Sequence, residues 1–427
     1  MRIETYKAMN ANYNIRIILS LGFILFYFLG NAQTSDHTKF LKNIGIADSI
    51  YSETLSEYRK IYIQYPDNYT SENKEKYPVV YILDGEALLP TVSNFQSFYS
   101  GGFTPEMLLI GISNGNHRTR DLTTSKITEN YGMPYNEENG AAHNFTKFIE
   151  TELIPYVENK YPVTNFRTLI GHSYGGLFTI NTLVNHPHLF TNYLAIDPSL
   201  DWDQQKLISN AEDKISNVNY KGKSLFMSLN GQLNAQDTLV TINNVMKDTS
   251  DFTLFARSNI KFSKIIDQKA KDNLSFEWKF YPQDLHGTIA YPSIMDGLLF
   301  QFKWFQMENT AKFNTPSTSK KELQRIITYR SEKLETHFGY PVPPYPEELL
   351  NALGYMSLDM EQLDKSKMFF EFALQFYPNS ANAFDSISEY YERIGDFQSA
   401  LKFATKANEL NSSDYYKQRV TTLKEKL

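Results

Sequence analysis

The sequence predicts a doubly wound α/β domain with a mostly parallel sheet, followed by a small all-α domain. Three observations carry this. Short apolar runs end at turn residues, helix-like segments separate them between residues 59 and 306, and a helical pattern repeats every 34 residues beyond residue 346. Strands buried on both faces of a parallel sheet read as continuous apolar stretches, whereas half-exposed strands alternate.

In chain order, residues 59–65 (RKIYIQY) alternate as an exposed or edge strand does. Residues 78–83 (PVVYIL), 107–113, 167–170, 193–196 and 224–229 read as buried strands, and 276–281 (FEWKFY) as the last. Residues 144–157, 175–184 and 291–306 lie between or after them with helical character. This alternation is that of strands connected by helices packed on the two faces of one sheet. Residues 314–319 (NTPSTS) form a polar linker, and a helix is expected over 320–337. Residues 340–346 (YPVPPYP) cannot continue a helix, because proline lacks the amide donor and clashes with the preceding turn.

Past that connector, Leu350 matches Phe384, Leu353 matches Ile387, Leu363 matches Phe397, Ser366 matches Ala400 and Ala373 matches Ala407, each 34 residues apart. Gly395 and Pro378 fall at a turn glycine and a closing proline, the pattern of a tetratricopeptide-like repeat. Two copies are fewer than a free-standing solenoid needs, so this module is expected to pack on the preceding helix or the α/β domain.

The N-terminus differs from the rest. Arg2, Lys7 and Arg16 precede the apolar run 17–29, and Gly30-Asn31-Ala32 offers small residues for cleavage, as in a secretory leader. The expected organisation is therefore 1–32 signal peptide, 33–310 α/β catalytic domain, 311–346 linker and connecting helix, and 347–427 helical repeats. A periplasmic or secreted protein with no stable membrane span after cleavage is the corresponding expectation.

Composition excludes several classes. The 427 residues carry 42 Lys plus Arg against 48 Asp plus Glu, a formal charge of −6, so the basic stripe that nucleic acid requires is missing. With no cysteine, disulfide frameworks, thiolate zinc sites and cysteine nucleophiles are excluded. A hydrophobic share of 41% fits neither a polytopic membrane protein nor a disordered chain.

Gly171-His172-Ser173-Tyr174-Gly175-Gly176 follows an apolar strand and opens an apolar helix. A serine on such a sharp turn sits in a strained backbone, and flanking glycines remove the Cβ atoms that would collide there. The helix behind it offers free N–H groups to an oxyanion. A serine nucleophile needs a base, and His286 follows the last strand on a loop at its carboxyl end. His172 is expected to point elsewhere as a packing residue, and the pair His186 and His188 has no carboxylate cluster to make it a metal site. The acid must lie between residues 174 and 285. Asp237, the one carboxylate in the loop 230–238, leads; Asp197 directly after the preceding strand is the main alternative, Asp201, Asp203 and Asp284 rank behind it, and a serine–histidine dyad is a further reading. The oxyanion hole should use the N–H of Tyr174 and that of Gly85 or Glu86, in the turn after PVVYIL.

These residues resemble the putative esterase family of α/β-hydrolases, which includes ferric enterobactin esterase and relatives of esterase D. The matching segments are VYILDGE (80–86), NHRTRDLT (116–123), FIETELIPYVENKYPV (148–163), LIGHSYGGLF (169–178), IDPSLDW (196–202) and the HG at 286–287. The resemblance implies the α/β-hydrolase fold and a serine carboxylester hydrolase, with Ser173 and His286 carried over. It places Arg118, Arg120 and Asp121 along the cleft and Trp202 in a substrate-proximal loop. It supplies no acid, because Gly231-Gln232-Leu233-Asn234 has no carboxylate where siderophore esterases have Gly-x-x-Glu. Hydrolysis of a small-molecule ester through an acyl-enzyme needs no cofactor or metal. An acyltransferase on the same fold is an alternative reading. So is a protein-interaction module, or dimer, formed through the repeats on a non-catalytic scaffold.

Overall fold

The computed structural model describes residues 44–66, 69, 76–234, 236–270 and 273–427. The leader read in residues 1–32 lies outside them. Among the described residues no helix is long and apolar enough to cross a membrane.

Eight strands form one sheet: β1 (Ile46–Ser52), β2 (Glu57–Gln64), β3 (Tyr77–Leu83), β4 (Leu108–Ile112), β7 (Val163–His172), β8 (Asn192–Ile196), β9 (Lys223–Asn230) and β10 (Leu274–Tyr281). Their spatial order is β1-β2-β4-β3-β7-β8-β9-β10, while β5 (Glu129–Asn130) and β6 (Met133–Pro134) make a separate hairpin. From β4 to β10 every neighbouring pair is parallel; β2 meets β4 antiparallel. The continuous apolar runs are the central strands, with every residue of β3, β4 and β8 buried. The strand β10 alternates along its length because it is an edge. The first strand escapes sequence reading for the same reason: β1 is largely exposed and carries little apolar signal.

The helices of this domain are α1 (Gly85–Tyr99), α2 (Arg118–Leu122), α3 (Ala142–Phe148), α4 (Ile154–Lys160), α5 (Tyr174–Asn185), α6 (Trp202–Ile215), α7 (Leu254–Lys269) and α8 (Ala290–Phe302). The helix expected over 144–157 is broken by a π-turn at Ile149–Leu153. Pro155 in the first turn of α4 lacks the donor that would keep the ladder in register, and the wider turn absorbs that gap. Apolar side chains cover both faces of the sheet, one layer around Phe145, Phe178 and Phe190, the other around Phe95, Phe166 and Phe302.

After a short turn, α9 (Thr310–Phe313), comes α10 (Lys320–Phe338), capped by Ser319 and closed by Gly339 at φ 78°. The remaining helices are α11 (Glu347–Asp359), α12 (Leu363–Phe376), α13 (Ala381–Arg393), α14 (Phe397–Leu410) and α15 (Asp414–Glu425). Both ends of α11 and α12 recur 34 residues later in α13 and α14. Glu361, at φ 56°, holds the turn that Gly395 holds at φ 83° one period on.

The segment 311–346 is a bridge more than a linker. Leu334 and Phe338 of α10 join the apolar layer of Phe166 and Phe302, while Leu323, Ile326 and Ile327 join Leu350, Leu353 and Phe369 of the helical pairs. Buried Arg330 donates to the carbonyl oxygens of Pro344 at 2.6 Å and Gln306 at 3.1 Å, fastening the proline-rich connector. Ala47–Leu427 accordingly form one compact unit.

Candidate active site

Three adjacent parallel strands, β3, β7 and β8, end at one corner, and each is followed by a non-glycine residue with positive φ. Asp84 has φ 51°, Ser173 φ 60° with ψ −116°, and Asp197 φ 45°. Such conformations cost about 1–3 kcal/mol each and persist only where surrounding contacts over-determine them. At Ser173 the steric reason is visible in Gly171: a Cβ there would stand 2.2 Å from the carbonyl oxygen of Gly175, so the strand end and helix start can pass only without one.

The turn presents Ser173 Oγ to His286 Nε2 at 3.0 Å, and His286 Nδ1 lies 2.6 Å from Asp197 Oδ2. The geometry assigns the tautomer: Nδ1–H donates to the carboxylate, leaving Nε2 to accept the serine proton. Asp197 is fully buried, whereas His286 is 40% exposed and open to a substrate. The carboxylate is held by two further donors from Asn230, the backbone N–H at 3.0 Å and Nδ2 at 2.5 Å. Buried charge is tolerated only when hydrogen-bonded in this way.

The acid expected at Asp237 is therefore not the one at the site. Asp237 is exposed, and its carboxylate accepts the N–H of Leu239 at 2.8 Å, capping its own turn. Asn230 ends β9 and donates to the acid that directly follows β8.

Both α1 and α5 begin at this corner, so the N–H groups of Gly85, Glu86 and Tyr174 have no acceptor within their own helices. Gly85 has a packing reason beyond any substrate: its Cβ would sit 2.5 Å from the backbone of Gly111 in β4. Arg118 locks the two helix starts together. Its Nε and Nη2 donate to the two oxygens of Asp84, each at 2.9 Å, and Nη2 also donates to the carbonyl of His172 at 3.0 Å.

Two further expectations change. Arg120 does not offer a free cation to the cleft, because Glu57 accepts from it at 2.8 and 3.2 Å and Asp121 at 2.8 Å. Arg59 completes this cluster with a 2.8 Å ion pair to Asp121. Trp202 is 5% exposed; its Nε1 donates to Ser125 O at 2.9 Å and its ring supports Tyr174 edge-on at 5.3 Å. It shapes the wall from behind.

Sequence reading missed Ser199, weighed Asp201 only as a lesser candidate for the acid, and wrongly expected His172 to point elsewhere. His172 turns toward the site: Nε2–H donates to the carbonyl of His286 at 2.9 Å, and the two rings lie 4.7 Å apart. Burial, helped by the neighbouring His286, pushes its pKa down to about 4, so it is neutral at physiological pH. Ser199 Oγ lies 3.3 Å from Ser173 Oγ. In the run Asp197-Pro198-Ser199-Leu200-Asp201 alternate side chains thus serve His286, Ser173 and, at Asp201, the β5–β6 hairpin, where Tyr131 donates to Asp201 Oδ2 at 2.5 Å. The period-two spacing of that run is the signal that would have found them. Among the described residues, His172, Asp197 and His286 place potential ligand atoms within 4.8 Å of one another. Within this group His286 Nδ1 and Asp197 Oδ2 share a hydrogen bond at 2.6 Å, and His286 Nε2 meets Ser173, the pattern of a proton relay.

Residues 52–252 match the family described as "Putative esterase", which bears out the resemblance read from the motifs. The chain is 31% identical over 157 residues to the ferri-bacillibactin esterase of Bacillus subtilis, covering 33% of this chain and 54% of that protein. It is 30% identical over 186 residues to the siderophore enterobactin esterase of Emericella nidulans, covering 40% of this chain and 59% of that one. The matches thus span little more than half the length of these esterases. An IroE-like serine hydrolase from Shewanella oneidensis shares the fold with a TM-score of 0.62 and 27% identity, over 78% of this chain and 99% of that one. The α/β-hydrolase fold is that of this chain.

Proposed function

We propose that the protein is an exported serine esterase that hydrolyses small-molecule carboxylic esters through an acyl-enzyme. The observation that carries this is the connected set Ser173, His286 and Asp197, at 3.0 and 2.6 Å. Ser173 Oγ attacks the ester carbonyl as its proton passes to His286 Nε2, and buried Asp197 balances the imidazolium charge. The tetrahedral oxyanion is met by the N–H of Tyr174 and that of Gly85 or Glu86, at the starts of α5 and α1. His286 then protonates the departing alcohol. Water, deprotonated by the same nitrogen, releases the acid and restores Ser173. The esterase names of the relatives support this reading, and so does the family match across residues 52–252.

The leader pattern at 1–32 supports a location outside the cytoplasm; N-terminal sequencing of protein from a periplasmic or secreted fraction should begin near residue 33. The 34-residue offset between helix pairs supports tetratricopeptide-like repeats. They supply no side chain to the Ser173 relay and are assigned to docking of a protein partner or a second copy.

The activity is tested with p-nitrophenyl esters of short acids. Wild type should show a p-nitrophenol burst matching the enzyme concentration and an acyl adduct on Ser173 by mass spectrometry. A folded protein with no turnover and no adduct would refute the reading.

A further inference from the structure

The cations that the resemblance placed along the cleft are already neutralised by the protein's own carboxylates. Arg118 is bound bidentately by Asp84, and Arg120 by Glu57 and Asp121. Arg257, at the start of α7, is drawn back onto Ser250 O at 2.7 Å and Thr253 Oγ1 at 2.9 Å. The carboxylate of Asp201 stands on the other side of the balance. It lies two residues beyond Ser199, whose hydroxyl touches that of the nucleophile, and it meets the tip of the β5–β6 hairpin. That tip is a tight turn, with Tyr131 at φ 49° and Gly132 at φ 75°. Only one oxygen of Asp201 is used by Tyr131. The other, Oδ1, is buried and receives no hydrogen bond from another residue. A shielded carboxylate oxygen without a donor is costly unless a ligand supplies one.

We propose that Asp201, steadied by Tyr131, reads the substrate: it selects esters that present a hydroxyl or ammonium donor and rejects esters that carry an anion. This rests on the esterase reading above and adds the substrate class to it. A donor placed on Oδ1 gains a charge-assisted hydrogen bond, while a second anion at the same place meets like charge in a partly shielded cleft. Exposed Met133 and half-exposed Tyr131 on the same hairpin leave apolar surface beside the carboxylate for the hydrocarbon that carries the donor. A site built to bond a substrate hydroxyl or amine discriminates far more sharply than an apolar pocket does.

The test uses full-length protein and two matched ester series. In the first, charge is on the acyl part: p-nitrophenyl hexanoate, its 6-amino counterpart and the adipate hemiester. In the second it is on the alcohol: hexyl, 6-aminohexyl and 5-carboxypentyl butyrate. In at least one series kcat/KM for the ammonium ester should exceed that for the carboxylate ester by about a hundredfold. The Asp201→Asn change should collapse this ratio by roughly tenfold or more, and Asp201→Glu should retain the preference. Tyr131→Phe removes a neutralising donor, so the ratio should rise. Loss of a merely structural contact would not move the two variants in opposite directions. Turnover with no charge preference in either series, or a preference unchanged in Asp201→Asn, would overturn this inference and leave the esterase reading intact. Absence of turnover with every ester would overturn both.

Discussion

The corner around Ser173 and the helical pairs beyond Glu347 both contain non-glycine residues with left-handed backbone, but at opposite kinds of place. At the corner, Asp84, Ser173 and Asp197 follow three neighbouring strands, and hydrogen bonds with Arg118, His286 and Asn230, respectively, hold them there. In the helical pairs, Glu361 sits on an exposed turn where the next period uses glycine. Strain at the corner aims functional groups; at the turn it only reverses the chain. Substitutions at the corner should therefore change chemistry by orders of magnitude, and those in the helices should change stability alone.

The largest effect is expected at Asp197. Asp197→Asn should lower kcat by about 10³–10⁴-fold, because the tautomer and charge of His286 lose their partner, while Asp237→Asn should change it by less than about twofold. Steady-state kinetics on one p-nitrophenyl ester separates the two.

Next comes His172. Its pKa is lowered from 6.5 to about 4, so the folded state resists protonation that the unfolded chain accepts. The stability it supports is fully present above pH 6.5 and is lost as pH falls through 6.5 toward 4. The loss amounts to at most roughly 3 kcal/mol. Urea unfolding as a function of pH should show this arm flattened in His172→Gln.

Gly354 sharpens the contrast from the helical side. A Cβ there would stand 2.5 Å from the ring of Phe370, which is fully buried. Gly354→Ala should cost about 1–3 kcal/mol by overpacking while leaving kcat as in wild type. The smallest effects are gains. Relief of positive φ should raise stability by about 0.5–1 kcal/mol in both Glu361→Gly and Ser173→Gly, but only the second should abolish turnover. Thermal melts beside activity assays check both.

Much of the sheet was legible because its central strands are buried on both faces and so appear as unbroken apolar runs. The edge strand β1 was not, since exposure leaves it little apolar signal. Ser173 and His286 were legible because a serine flanked by glycines and a histidine after the last strand carry local signatures. The acid was not. Chain order confines it to a window but does not say which strand end lies nearest the base loop, and at the end of β9, where Asp237 was expected to serve, stands Asn230. Arg120 and Trp202 were placed by likeness alone, and their partners, Glu57 and Ser125, are more than 60 residues away in sequence. Pairings over that distance leave no local pattern.

The most direct test of the relay is the rate at which a fluorophosphonate labels Ser173, followed by intact mass. Wild type and Asp237→Asn should label at the same rate, Asp197→Asn at least about a hundredfold more slowly, and Ser173→Ala not at all. Undiminished labelling of Asp197→Asn, or an adduct that survives Ser173→Ala, would contradict the assignment.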